Sequence, residues 1–335
     1  MIMTRLSFDE LSSVFNSILL KHGFLEQDAK LCADIFTENT FCGVASHGVN
    51  RFHVIIKMVE LGLIKPDAKP TLSNAFNGLE VWDGNYGAGV LNAWQMTDRA
   101  MELASNFGIG CVALRNTNHW MRAGAYGWKA AENGFAFICW TNSMPNLPPW
   151  GSKEARTGNN PIVFAVPNSP NHVVIDTALS QYSYGKLSTH KRAKKPLPFV
   201  GGYDSNGELT TDAAEIYSTF RALPIGLWKG AGLSLLLDLI AAALSGGQTT
   251  KDISKTEYET GLSQIFIAID MKRNLGSTDM MKMIDDTIEY YKSGEVVNEN
   301  EPVLYPGERV FKVREENMRN GVEVEKEIWE RILKL

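Results

Sequence analysis

Disulfides, membrane spans, a basic surface and a nucleotide loop are all scarce or missing in this chain, and each absence narrows what it can do. Four cysteines occur in 335 residues, Cys32, Cys42, Cys111 and Cys139, with no CxxC pair among them. That pattern supplies neither a disulfide framework nor zinc-ligand spacing, so a reducing compartment and no metal centre are expected. Lys and Arg number 33 against 38 Asp and Glu, a formal net charge of −5. A nucleic-acid binder would need the opposite balance. The basic run Lys191, Arg192, Lys194 and Lys195 beside His190 reads as a solvated loop, phosphate contact being the other reading. No apolar window reaches the length of a membrane span; the longest, near 231–244, falls short and contains Asp238. The N-terminal stretch has no continuous apolar segment or small-residue cleavage site, so it is not a secretory signal and a cytoplasmic location is expected.

The usual nucleotide signatures are also missing. Gly108-Ile109-Gly110 precedes a strand, whereas a dinucleotide fingerprint follows a strand and opens a helix. Gly84 to Gly89 has the wrong spacing, and no glycine-rich run leads to Gly-Lys-Ser/Thr. A nicotinamide cofactor, if one binds, is therefore held without a Rossmann fold.

Hydrophobic content of 44% and charged content of 21% describe a globular protein whose length suggests about two domains. Ser7 and Glu10 form a capping-box pair with Leu6 and Leu11 as its staple, and Leu11, Val14, Phe15, Ile18 and Leu19 share one helical face. Helical periods continue through Ala29–Phe36 and Phe52–Val59, so the first 65 residues or so read as helices, closed by Pro66 and Pro70. A turn-rich stretch from Gly78 to Gly89 surrounds short strands, and a helix near 91–106 ends at Gly108. Apolar runs at 111–114, 135–140, 162–166, 173–175 and 264–269 read as strands, with helices at about 121–133 and 231–245 among them. Residues 278–292 and 313–335 read as helical. The fold class is therefore α/β with a mixed sheet, in which a discontinuous helical domain (1–75 plus 275–335) wraps a central α/β domain (76–274).

Two segments carry candidate chemistry. Ser46-His47-Gly48-Val49-Asn50-Arg51 reads as a helix start, with Ser46 as N-cap, His47 at the first helical position and Arg51 four residues on, along the same stripe. That would set a group able to give a proton near neutral pH beside a planar cation able to grip a carboxylate, at a helix end that favours anions. The same residues also suit an ordinary helix start. Trp228-Lys229-Gly230-Ala231-Gly232 precedes Leu233–Leu244, a helix apolar on nearly all sides and so expected to be buried. Its free N–H groups with Lys229 would suit an anion, although two glycines could simply let a buried helix pack closely.

Taken in order, Ser46–Arg51, Asn116-Thr117-Asn118-His119-Trp120, Pro149-Trp150-Gly151, Gly158-Asn159-Asn160-Pro161, Asp176-Thr177-Ala178-Leu179-Ser180, Trp228-Lys229-Gly230 and Pro306-Gly307-Glu308 resemble the malate/L-lactate dehydrogenase type-2 family from end to end. The resemblance implies a homodimeric oxidoreductase that uses NADH or NADPH in a non-Rossmann domain to reduce a 2-keto acid, with a sugar acid as the substrate class. It assigns His47 as proton donor, His119 as a second active-site histidine and Arg51 as the carboxylate ligand. It assigns cofactor binding to Ile175, Asp176, Thr177, Ala178, Leu179, Ser180 and Gln181, to Trp228 and Lys229, and to Gly307, Glu308 and Arg309. Asn159 stands where threonine is more usual, and Ala178-Leu179 replaces a Ser-Met pair. Asn116 and Asn118 are further expected to meet substrate hydroxyls. Other reactions within the family (malate, lactate, sulfolactate or ureidoglycolate type) and a non-catalytic sugar-acid-binding protein are the competing readings.

Overall fold

The computed structural model describes residues 2–272, 277–299 and 301–335, apart from the side chains of residues 277 and 278. The expected domain boundary between residues 274 and 275 lies outside them.

From the N-terminus, β1 (Met3–Leu6) leads into α1 (Phe8–Lys21) and α2 (Glu26–Phe41). The Ser7–Glu10 capping box forms, with the Ser7 N–H donating to Glu10 Oε2 at 2.8 Å and the Glu10 N–H to Ser7 Oγ at 3.2 Å. Two short 3-10 turns, Ala45–His47 and Val49–Arg51, precede α3 (Phe52–Glu60). The sheet begins with β2 (Thr71–Phe76) and β3 (Leu79–Asp83). Then come α4 (Gly89–Phe107), β4 (Ile109–Thr117), α5 (Gly124–Glu132), β5 (Phe135–Thr141), β6 (Ile162–Val166) and β7 (Val173–Thr177). After α6 (Tyr184–Ala193), a two-residue ribbon of β8 (Gly202–Tyr203) and β9 (Leu209–Thr210), and α7 (Ala213–Thr219), the chain forms α8 (Trp228–Ser245), α9 (Thr250–Ile253) and β10 (Leu262–Asp270). It closes with α10 (Ser277–Lys292), α11 (Glu308–Asn320), β11 (Val322–Glu325) and α12 (Lys326–Ile332).

The main sheet runs β2-β3-β4-β10-β5-β6-β7. Only β3 and β4 pair in parallel; the other five neighbours are antiparallel. This is the expected mixed sheet and not a doubly wound parallel one. Alternation along the strands divides the core. Val112, Leu114, Phe266 and Ala268 face α4 and α5, whereas Ala113 and Ile265 face α8. A separate core gathers α1–α3 with the chain's two ends, joining Phe15, Phe36 and Phe52 to Val322, Val324 and Ile332. Each fully buried Phe contributes about 1.5–3 kcal/mol of burial free energy.

Four expectations need correction. The termini are not helical throughout: β1 and β11 pair antiparallel, Met3 opposite Glu325 and Leu6 opposite Val322. Such short strands, brought together from opposite ends of the chain, have no local signal. The basic run is solvated but only partly a loop: His190, Lys191 and Arg192 occupy the last turn of α6, where cations complement the exposed carbonyl end, while Lys194 caps the helix and Lys195 follows it. At 18 residues α8 does reach the lower length of a bilayer span. It is also not buried all round, since Leu233, Leu235, Leu236, Leu239, Ile240 and Leu244 are exposed. Its inner face packs on the sheet, where Trp140 Nε1 donates to the Leu237 carbonyl and Asp238 accepts from Asn142 at 2.8 Å.

Candidate active site

A cavity of about 660 Å³ lies where the α1–α3 layer meets the sheet, and His47, Arg51, His119, Arg122, Asp176 and Glu259 all line it. The His47 segment is not a regular helix start. Gly48 separates the two 3-10 turns with φ −119° and ψ −124°, Ser46 caps nothing, and α3 begins only at Phe52. The reason is a close approach to α2: a Cβ on Gly48 would lie 2.3 Å from Thr40 Oγ1 and 2.8 Å from its backbone nitrogen. The Val49 N–H donates to Thr40 Oγ1 at 2.9 Å, and Asn39 Nδ2 donates to the His47 carbonyl at 3.1 Å. The end of α2 thus holds His47 and Arg51 in place without a helix dipole behind them.

His119 comes from the end of β4 and stacks against His47, ring centroids 5.8 Å apart and planes within 16°. The Met121 N–H donates to His119 Nδ1 at 2.9 Å, so the neutral ring carries its proton on Nε2 and presents a donor there. His47 Nδ1 lies 3.2 Å from Ser46 Oγ. Burial first, then the charges of Arg51 and Arg122, lower the His47 pKa to about 4. Burial, Arg51 and His47 push His119 well below its ordinary value. Both imidazoles are therefore neutral at pH 7 without a ligand.

The side chains of Arg51 and Arg122 have no hydrogen bond or ion pair among the described residues, and Arg51 Nε is buried without a partner. Arg122 is only 5% exposed. Leaving a buried guanidinium unpaired is costly, which marks the cavity as built for an anion. On the wall beside Arg122, Asp176 at the end of β7 accepts the Gly124 N–H at 2.7 Å; burial raises its pKa, and that bond and Arg122 oppose the rise. Gly307 closes the same wall at φ +99°, where a Cβ would crowd Val174 N, the His172 carbonyl and Trp128.

The predicted residues separate into two groups. His47, Arg51, His119, Ile175, Asp176, Ala178 and Gly307 line the cavity together. Thr177 turns its hydroxyl to the Ala178 carbonyl, Leu179 and Ser180 are buried, and Gln181 is exposed. Trp228 and Lys229 sit exposed at the start of α8, away from the cavity. Arg309 is exposed, while Glu308 is buried and bound by Lys292 and Lys312 at 2.9 and 2.7 Å. Asn116 and Asn118 are not free for substrate: Asn116 Nδ2 donates to Asp83 at 2.8 Å, and Asn118 bridges the Gly87 carbonyl at 3.0 Å and Thr260 Oγ1 at 2.9 Å. Asn159 lines the cavity and accepts from Asn146 at 3.1 Å. The sequence reading missed Glu259 and Arg122. Glu259 had no motif around it; Arg122, three residues beyond His119, could have been found by asking what balances that charge.

The malate/L-lactate dehydrogenase family profile matches residues 6–333. A 2,3-diketo-L-gulonate reductase of Citrobacter koseri is 43% identical over 329 residues, 98% of this chain and 99% of that protein. Among solved structures, a malate dehydrogenase of Pyrococcus horikoshii shares 29% identity at a TM-score of 0.90, covering 99% of this chain and 95% of that one. A sulfolactate dehydrogenase of Methanocaldococcus jannaschii shares 28% identity at the same TM-score, covering 98% of this chain and 95% of that one. The cavity with its two histidines and unpaired arginines therefore sits in a chain that belongs to the malate/L-lactate dehydrogenase family of oxidoreductases.

Proposed function

We propose that the protein reduces the C2 ketone of 2,3-diketo-L-gulonate to the 2-hydroxy acid, 3-keto-L-gulonate, using NADH, with NADPH as the alternative reductant. The observation that carries this reading is the unpaired Arg51 guanidinium beside two neutral, stacked imidazoles in one cavity. The named relatives supply the substrate.

Arg51 takes the substrate's C1 carboxylate through two parallel N–H bonds. The incoming negative charge offsets the cation that disfavours protonation of His47, whose pKa rises from about 4. His47 then takes a proton from solvent, and His119 Nε2–H points a hydrogen bond at the ketone oxygen. Charge develops on that oxygen as C2 is reduced; His119 stabilises it and His47 delivers the proton that completes the hydroxyl. The family implies a nicotinamide cofactor, which when bound supplies the hydride. The residues present fit such a group: Arg122 is a buried cation without a partner, suited to a diphosphate, beside Asp176, Ile175, Ala178 and Gly307.

The remaining cofactor candidates, Thr177, Leu179, Ser180, Gln181, Trp228, Lys229, Glu308 and Arg309, do not line this cavity. Trp228 and Lys229 begin the exposed aliphatic face of α8. A second copy of the chain covering that face would make the homodimer and place those two residues inside an interface. The division into a helical unit (1–75 with 275–335) and a cofactor-binding unit (76–274) belongs to the same proposal.

The test is loss of reduced-nicotinamide absorbance with 2,3-diketo-L-gulonate, pyruvate, oxaloacetate and 3-sulfopyruvate. Turnover of the diketogulonate above the others is expected. Preference for another member keeps the mechanism and changes the substrate. No turnover, with NADH still bound, would overturn the catalytic reading.

A further inference from the structure

Glu259 is the one acidic group in the cavity that the reduction scheme leaves unused beside Arg51. It lies in the loop between α9 and β10, and the next residue fixes it: Thr260 Oγ1 donates to Asn118 Oδ1 at 2.9 Å, tying the loop to the segment that carries His119. One carboxylate oxygen, Oε2, accepts the Met144 N–H at 3.1 Å. The other has no hydrogen-bond partner among the described residues, although the side chain lines the cavity. Burial raises the pKa of the group, while the charge of Arg51 and the Met144 N–H oppose the rise. The two side chains feel each other's field, yet no ion pair within 4.0 Å forms between them. A Glu serving only to neutralise Arg51 would close that distance.

We infer that Glu259 selects the substrate's far end: its free carboxylate oxygen accepts hydroxyl donors from a polyhydroxylated 2-keto acid and repels a second carboxylate. The inference rests on the proposed reduction and deepens it. A 2-keto acid gripped at C1 by Arg51 extends its remaining carbons through a cavity whose carboxylates are Glu259 and Asp176; each accepts one backbone N–H, but Glu259 lies in the field of Arg51, whereas Asp176 lies in that of Arg122. An ionised carboxylate only accepts, so a hydroxyl beside it gains a charge-assisted bond, a methyl gains nothing, and a carboxylate meets like charge. Acceptance and rejection thus come from one group.

The experiment measures kcat/KM for wild type and Glu259→Gln with 2,3-diketo-L-gulonate, a second polyhydroxy 2-keto acid such as 2-keto-D-gluconate, pyruvate and oxaloacetate. The NADH dissociation constant, from fluorescence, serves as the check on the fold. Gln keeps an acceptor for the Met144 N–H and removes the charge. The ratio of oxaloacetate to sugar-acid kcat/KM is expected to rise about a hundredfold, roughly tenfold from each side, with pyruvate between them. A uniform change across all four substrates, or none, overturns the inference and leaves Glu259 as a support for Met144. If Glu259→Gln does not fold, Glu259→Asp retains the charge one methylene back; it must still reject oxaloacetate while losing sugar-acid activity. Wild type that prefers oxaloacetate to every polyhydroxy acid overturns the inference without any variant. If diketogulonate is inert but 2-keto-D-gluconate is reduced, the proposed substrate falls and the role of Glu259 stands.

Discussion

Arginines at the seams of this molecule are paired, and arginines at its cavity are not. Arg99 grips Glu80 through Nε and Nη2 at 2.8 and 2.6 Å and adds Glu102 at 2.7 Å; Arg314 holds Glu38 through both Nε and Nη2. Arg51 and Arg122 reach the cavity with no partner among the described residues. The same side chain is a strut in one place and a socket in the other. A cation already satisfied by protein has little to offer a ligand, whereas a buried unsatisfied one gains most when an anion arrives. The unpaired pair also adds to the burial that keeps His47 neutral, so one arrangement bears on both binding and acid catalysis.

The comparison breaks first, and by the largest margin, at Arg51. Arg51→Met should lower kcat/KM for 2-keto acids about a hundredfold or more while NADH binding changes little, because it removes a charge-assisted two-point contact with the carboxylate. Steady-state kinetics beside an NADH titration check this, and an unchanged kcat/KM would make Arg51 a structural residue.

A smaller effect is expected from Arg122→Met: NADH binding weaker by about tenfold, with thermal stability equal or higher, since a buried unpaired charge is replaced by an apolar chain of similar length. Fluorescence titration and a melting curve read the two quantities. Lower stability with unchanged NADH affinity would place Arg122 with the struts.

Arg99→Ala should do the reverse. It leaves the nearly buried Glu80 with Trp82 Nε1 as its remaining side-chain donor, costing about 1–3 kcal/mol by denaturant melt, with kcat/KM within about twofold. The hydrogen bond from Arg99 holds the Glu80 pKa below its ordinary 4.5. The stabilisation is therefore complete above pH 4.5 and fades as the pH falls through the depressed value, so the difference between wild type and variant should narrow in acid.

What could be read in the sequence was what local rules control. The Ser7–Glu10 cap needs only neighbours three residues apart, and the strands of the sheet declare themselves as apolar runs. Helix α8 shows the limit of such patterns: an all-round apolar helix cannot say whether its outer face meets the rest of its own chain or something else. The β1–β11 pair was invisible because its partners come from the two chain ends. At the site, His47, Arg51 and His119 were recoverable as motifs, but the low pKa of His47 was not, since it depends on burial and on Arg122 from another segment. Asn118 was misread for the same reason: its bonds to Gly87 and Thr260 exist only once three loops meet.

Burial, reinforced by the unpaired arginines, holds His47 neutral until a carboxylate arrives. An NMR titration of the His47 ring, free and with an unreactive 2-hydroxy acid bound, tests this most directly. A pKa of about 4 is expected in the free protein, with a rise when the acid binds and a higher free value in Arg51→Met. A free His47 titrating near 6.5 and indifferent to the bound carboxylate would contradict it.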